Sequence, residues 1–267
     1  MRTRSTAGFL AITSGLVATF LSGSLVVGCG LANTPVQVGT SLSGNWSFAP
    51  STSAVIILNL GFTQGAYETV SAVARLTGAS CVSPTTDILL TGSVGGTNQM
   101  LLISSPFNGT TLTLKGQVTP DGKEIANASW SFAGGNCSTI GTADVTATDY
   151  SEISGTYTGN FADTDGNQLP VSAFLEQTTQ PDQNGQFSLS GTATFPNNTC
   201  FSEQPTLTTS LVTGSSLSMT YSDPGSGAVL TASGTFNSAA TQLTIANWSI
   251  SGCYCNGDSG TGLLTEQ

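Results

Sequence analysis

The sequence predicts an all-β protein: two tandem homologous antiparallel β domains behind a leader, each a small meander barrel or a β-sandwich holding one disulfide. Three observations carry this reading. The first is a duplication. Pro106 to Cys137 aligns without a gap to Pro224 to Cys255 at an offset of 118, with Gly109/Gly227, Leu112/Leu230, Gly116/Gly234, Trp130/Trp248 and Gly134/Gly252 identical. The second is period-two alternation, the mark of half-buried strands. The third is composition, in which Thr, Val, Phe and Tyr suit pleated surfaces and 32 glycines with Asn, Asp and Ser supply turns.

The leader comes first in the chain. Arg2 and Arg4 form a short basic start, and no further charge occurs before Glu68. Residues 9–28 are mainly apolar, broken by Ser14, Gly15, Ser22, Gly23 and Ser24, as in a signal peptide. The run ends in Val26, Val27, Gly28 and Cys29. An aliphatic residue, then a small residue directly before cysteine, resembles a bacterial lipobox. The resemblance covers only the first 30 residues. It implies cleavage before Cys29, lipidation of the Cys29 sulfur and attachment to a membrane through that lipid anchor. Gly30 and Leu31 carry no acidic retention signal, which by the same resemblance implies the outer membrane or cell envelope. Residues 29–39 are then a lipidated tether. Two rivals stand beside this reading. Gly30-Leu31-Ala32 could direct ordinary cleavage before Asn33, and the apolar run approaches the roughly 20 residues of a membrane span. The many Gly and Ser residues disfavour a permanent span.

The first repeat is expected at 40–148. Leu42-Ser43-Gly44-Asn45-Trp46 matches Ile153-Ser154-Gly155-Thr156-Tyr157 at an offset of 111. Leu112, Leu114, Gly116 and Val118 share one strand face. Pro120-Asp121-Gly122-Lys123 reads as a hairpin turn, with Pro presetting φ and Gly accepting a positive one. Residues Tyr67 to Arg75 are ambiguous in period. A linker at 149–151 leads to the second repeat, 152–267. There Phe187, Leu189, Gly191, Ala193 and Phe195 alternate with Ser188, Ser190, Thr192 and Thr194, and Leu230, Ala232, Gly234 and Phe236 repeat the pattern of the first domain. About seven or eight strands are expected per repeat. Meanders of this size must hide their edges, so a lipocalin-like barrel and a sandwich both fit. Mid-strand glycines at Gly116 and Gly234 favour a strongly curved sheet. Trp46, Trp130 and Trp248 are large enough to fill a small barrel. Short apolar strands without aromatic girdles disfavour a membrane-spanning barrel.

The duplication also pairs the cysteines. Cys81 to Cys137 spans 56 positions and Cys200 to Cys255 spans 55, so one bridge per domain is expected. Such bridges need an oxidising compartment, in keeping with export. Cys253 has Gly135 as its counterpart and stands outside the scheme. The blander reading is a local exchange in which Cys253 rather than Cys255 takes the second bridge; the sharper one is a free thiol.

Charge excludes several functions. Beyond the leader only Arg75, Lys115 and Lys123 oppose fifteen acidic residues, so phosphate neutralisation, and with it nucleic-acid binding, is not expected. The chain has no histidine, which removes the commonest general base and metal ligand. Asp163-Thr164-Asp165-Gly166-Asn167 resembles the start of a calcium loop. Its Gly falls fourth rather than sixth and Phe174 stands where a bidentate Glu belongs, so a hairpin loop is the simpler reading. A carboxylate pair, Asp163 with Asp165 or Glu176 with Asp182, is the most a glycosidase could draw on. Gly225 to Ala228 is a turn after Pro224 rather than a nucleophile elbow. Asn-X-Ser/Thr triplets at Asn45, Asn108, Asn127, Asn136, Asn197 and Asn247 are those expected from composition. No catalytic, cofactor or metal site is assigned. The reading is a lipid-anchored cell-envelope protein with a non-enzymatic binding or structural role. Its partner would be a protein or glycan, or, if the domains are hollow, a small hydrophobic ligand; a carbohydrate-active hydrolase is the enzymatic alternative.

Overall fold

The computed structural model describes residues 42–51, 55–65, 68–196, 198–202, 204–252 and 255–267. Cys29, the leader, the tether and Cys253 lie outside the described residues. In the first repeat the strands are β1 (Gly44–Pro50), β2 (Ile57–Gln64), β3 (Thr69–Thr77), β4 (Ile88–Val94), β5 (Gln99–Ser104), β6 (Thr111–Val118), β7 (Ile125–Ala133) and β8 (Thr142–Tyr150). The second contains β9 (Ser154–Asp163), β10 (Gln168–Gln177), β11 (Leu189–Thr194), β12 (Thr206–Thr213), β13 (Ser216–Ser222), β14 (Val229–Phe236), β15 (Gln242–Ser251) and β16 (Ser259–Glu266). Each set is an antiparallel meander in which the last strand pairs back with the first, β8 with β1 and β16 with β9. These are two closed barrels, and the sandwich alternative falls. Closure removes the two end strands an open sheet would offer another chain, the β11–β12 seam being held by Thr192 opposite Thr206 and Phe187 opposite Val212. The ambiguous stretch before Arg75 is strand β3, alternating buried and exposed from Thr69 to Leu76.

Inward residues follow the alternation read from the sequence. Phe187, Leu189, Ala193 and Phe195 are buried, as are Leu112, Leu114 and Val118 and their partners Leu230, Ala232 and Phe236. Each barrel is filled by its own side chains. In the first, Trp46 meets Phe62 edge-on with ring centroids 6.0 Å apart, and Trp130 meets Phe132 at 5.6 Å. In the second, Trp248 stacks on Phe161 at 5.6 Å. Burying an aromatic side chain of this size stabilises by about 3 kcal/mol, so the tryptophans are the largest single contributors to each interior.

Gly116 and Gly234 sit at bulges repeated in both barrels. The register slips between Lys115 and Gln117 against β7, and between Ser233 and Gly234 against β15. A Cβ at Gly116 would lie 2.3 Å from the Ile125 Cγ2, and one at Gly234 would lie 2.0 Å from the Thr244 carbonyl oxygen. The glycines let the neighbouring strand close in where the sheet bends, as a small barrel requires.

One disulfide serves each barrel. Cys81 joins Cys137, tying the β3–β4 loop to a 3-10 turn at Asn136–Ile140. Cys200 joins Cys255, tying the β11–β12 loop to the β15–β16 loop. The second bridge is therefore made by Cys255, and the local exchange with Cys253 is corrected. The reason is equivalent placement: the repeat puts Cys255 where Cys137 stands, opposite the same loop.

The barrels meet along a defined junction. Asn45, only 2% exposed, donates from Nδ2 to the Gly214 carbonyl at 2.7 Å and accepts from the Gly214 N–H at 2.7 Å. This side-chain amide imitates one rung of a β-ladder between β1 and the β12–β13 turn. Burial of Asn45 also keeps its Asn-X-Ser triplet out of reach of modification in the folded chain. Beside it, the β10–β11 hairpin lays Pro181 and Gly185 on Gly61 of β2 and Val73 of β3. Tyr150 meets Phe236 with centroids 5.4 Å apart, and the Ser151 N–H donates to the Ser238 carbonyl at 2.8 Å.

Asp149, opposite Trp46 in the β1–β8 pairing, gives the fold a pH dependence. Partial burial pushes its carboxyl up to about 6, against the opposing pull of Lys123. The folded value exceeds the unfolded one, so its contribution is fully present below about pH 4 and is lost as pH rises through 6. An Asp149→Asn variant is expected to gain on the wild type in urea midpoint between pH 4 and 7. A gap that does not change with pH would contradict this.

Candidate functional site

The two ends of the second barrel differ in what they face. The β10–β11, β12–β13 and β14–β15 connections lie at the junction end, with Ser238 and Gly214 bonded to the first barrel. The β9–β10, β11–β12, β13–β14 and β15–β16 loops form the far rim. Cys200–Cys255 clamps two of these loops together. Asp223, fully buried, ties in a third: its Oδ2 accepts from the Ser202 N–H and the Ser226 hydroxyl, both at 2.7 Å, and its Oδ1 from the Gly225 N–H at 2.9 Å. A buried carboxylate is tolerated because its oxygens are met by hydrogen-bond donors. The rim is thus held by a covalent bond and a polar knot.

On this rim lies a cleft of about 440 Å³. Leu169, Pro170, Pro196 and Trp248 give it apolar walls, and Asp163, Gln168, Asn198 and Asp258 give it polar ones. Trp248 is fixed there by its stack on Phe161 and by donating from Nε1 to the Thr261 carbonyl at 3.0 Å. Asp163 accepts from the backbone of Asp165 at 2.9 Å and of Asn167 at 2.7 Å, and from the Asn167 side chain at 2.7 Å. The Asn167 amide holds the Asp163 carboxyl below the usual range, so it is an anion at neutral pH. An apolar wall beside convergent hydrogen-bonding groups is the usual composition of a ligand cleft.

Asp163 lines the rim cleft with Asp258, while Asp165 lies exposed in the hairpin and is not part of the wall. The Asp163–Asn167 segment is the β9–β10 hairpin loop, and no group of three or more metal-ligating side chains occurs among the described residues. Glu176 points outward from β10, and Asp182 accepts from the backbone of Asn184 and Gln186 in the junction hairpin. No described cleft brings Glu176 and Asp182 together. Asn198, Gln168 and Asp258 were not anticipated as site residues, because nothing local in the sequence distinguishes them from other loop residues. Asn197 lies outside the described residues.

Three further clefts lie elsewhere among the described residues. One of about 420 Å³ is lined by outward hydroxyls including Ser218, Thr220 and Thr231. Another, of about 540 Å³, lies over β9, β15 and β16. A small groove of about 190 Å³ follows the junction, between Val73 and Leu89 on one side and Pro181 on the other.

No family model and no curated protein matches the chain. A solved structure from Nostoc punctiforme, a protein with unknown function from the DUF3598 family, is 10% identical, with 84% of this chain and 94% of that one covered and a TM-score of 0.24. At that TM-score the likeness bears on neither fold nor function.

Proposed function

We propose that this chain is an exported, lipid-anchored cell-envelope protein that works as a non-enzymatic binding or structural module. The observation that carries the binding half is the filled interior of both barrels. With Trp46, Trp130, Phe62, Phe161 and Trp248 occupying the space a carrier would offer its cargo, recognition falls to the outside. The far rim of the second barrel is the place we assign to it, and its mixture of prolines, amides and carboxylates suits a glycan or a polar peptide rather than a lipid. A hydrolase is less well supported. A glycosidase acid needs a raised pKa, whereas the Asp163 carboxyl is lowered.

The address rests on the lipobox resemblance at Cys29 and agrees with two disulfides, which persist in oxidising compartments. The test is direct. In a bacterial host, globomycin or Cys29→Ala is expected to accumulate the uncleaved precursor, still held at the membrane by its apolar leader. Unchanged processing would remove the anchor. Native mass spectrometry of the purified protein is expected to show no copurifying lipid; a stoichiometric apolar ligand would restore the carrier reading.

A further inference from the structure

We propose that the outer face of strands β4 and β5 in the first barrel is a membrane-contact surface, resting on the bilayer to which the chain is tethered. This deepens the lipid-anchor reading and rests on it. Leu89, Leu101 and Ile103 point outward there at 51%, 43% and 46% exposure. Register makes them one patch. Ile103 stands opposite Thr91 and Leu101 opposite Ser93, and Leu89 is the next outward residue on β4. The large exposed hydrophobics of the second barrel, Phe174, Leu211 and Leu263, fall on β10, β12 and β16, which are not neighbours. Among the described residues, β4–β5 is where such side chains adjoin.

Charge points the same way. Strands β3 to β6 contain no Asp or Glu, and neither do β11 to β15, but only the first barrel adds basic residues to such a face, since no Lys or Arg follows Lys123. Lys115 lies exposed on β6 directly opposite Leu101, and Arg75 on β3 pairs with Asp87 at 2.9 Å. Asp87 neutralises Arg75 and Asp182 of the junction hairpin lies near Leu89, so it is Lys115 that gives the β5–β6 side of the patch a basic character a head-group surface accepts. Leucine and isoleucine beside a lysine is also the usual make-up of an interfacial contact. Distance permits it. Cys29 and Leu42 are thirteen residues apart, a span of at most about 45 Å, so the first barrel cannot leave the vicinity of the bilayer. Three half-exposed aliphatic side chains would not bind a membrane from solution. Tethering raises the local concentration enough for a weak patch to stay engaged.

The test supplies the attachment artificially, so that it does not depend on Cys29 lipidation. A chain with a histidine tag in place of residues 1–29 is held on phosphatidylcholine–phosphatidylglycerol vesicles containing chelator lipid and a diazirine-bearing phospholipid. After irradiation, peptides covering 89–115 are expected to carry at least fivefold more lipid adduct than those containing Phe174, Leu211 or Leu263. Leu101→Ser/Ile103→Ser, at exposed positions, is expected to fold normally and to lose that excess. Adducts spread evenly over both barrels, adducts concentrated on the second barrel, or an excess that survives the double substitution would each overturn the proposal. So would protection of the patch by a second copy, seen as a dimer in light scattering. Processing that globomycin and Cys29→Ala leave unchanged, with the vesicle result intact, would sink the anchor and spare the patch.

Discussion

Replacing Cys200 and Cys255 together by serine is expected to lower the thermal midpoint of the second barrel by about 10 °C or more. The bridge closes a loop of 55 positions, and in the chain-entropy picture releasing such a loop costs about 4 kcal/mol, which corresponds to a shift of that order in a domain of this size. The cost has a location. Asp223 still ties the β13–β14 loop to the β11–β12 loop through Ser202, but the covalent link from β11–β12 to β15–β16 is gone. Asp258 and Asn198 then lose their fixed spacing across the rim cleft. The double variant is therefore expected to lose any rim ligand more steeply than its stability alone would require. Calorimetry and limited proteolysis check the first part, and ligand titration well below the new midpoint checks the second. A variant that melts with the wild type would show that the polar knot alone holds the rim.

Gly185→Val is expected to part the two barrels while leaving each folded. Gly185 has φ +71, and any Cβ there would lie 2.3 Å from the Val73 carbonyl oxygen and 2.7 Å from the Val73 Cβ. A β-branched residue at positive φ costs on the order of 1–3 kcal/mol, and the clash adds a similar amount. The hairpin relieves the clash by lifting off β3, which withdraws Pro181 from Gly61 and weakens the junction that Asn45 and Gly214 share. Calorimetry is expected to resolve two transitions in the variant and one coupled transition in the wild type, and small-angle scattering a larger radius of gyration for the variant. A single, unshifted transition would mean that the hairpin contributes nothing to coupling.

The fold was legible wherever it depends on local pattern or on the duplication. Alternation at Phe187 to Phe195 and at Leu112 to Val118 gave the inward faces, and the repeat gave the cysteine pairing. Gly116 and Gly234 marked bends that prove to be bulges. Closure was not legible, because alternation says which face is buried and not which strand β8 or β16 will meet. The junction was hidden for a related reason. Asn45 reads as part of a modification triplet and nothing in the sequence marks Gly185, until a partner more than a hundred positions away explains both. Within the candidate site, Asp163 was visible as an acidic turn residue. Asp258, Gln168 and Asn198 were not, since only the barrel's curvature brings them to one cleft. The outward leucines were masked by their neighbours: Ile88-Leu89-Leu90 and Met100 to Ile103 read as continuous apolar runs whose alternate members happen to face out.

The amide rung between Asn45 and Gly214 has a geometric consequence. It fastens the second barrel by one end, so that barrel acts as a spacer. Strands of ten residues such as β9, β10 and β15, inclined as barrel strands are, extend about 25 Å along the axis. Whatever the rim holds is carried about that far from the end that meets the first barrel. A target would be met at a set height.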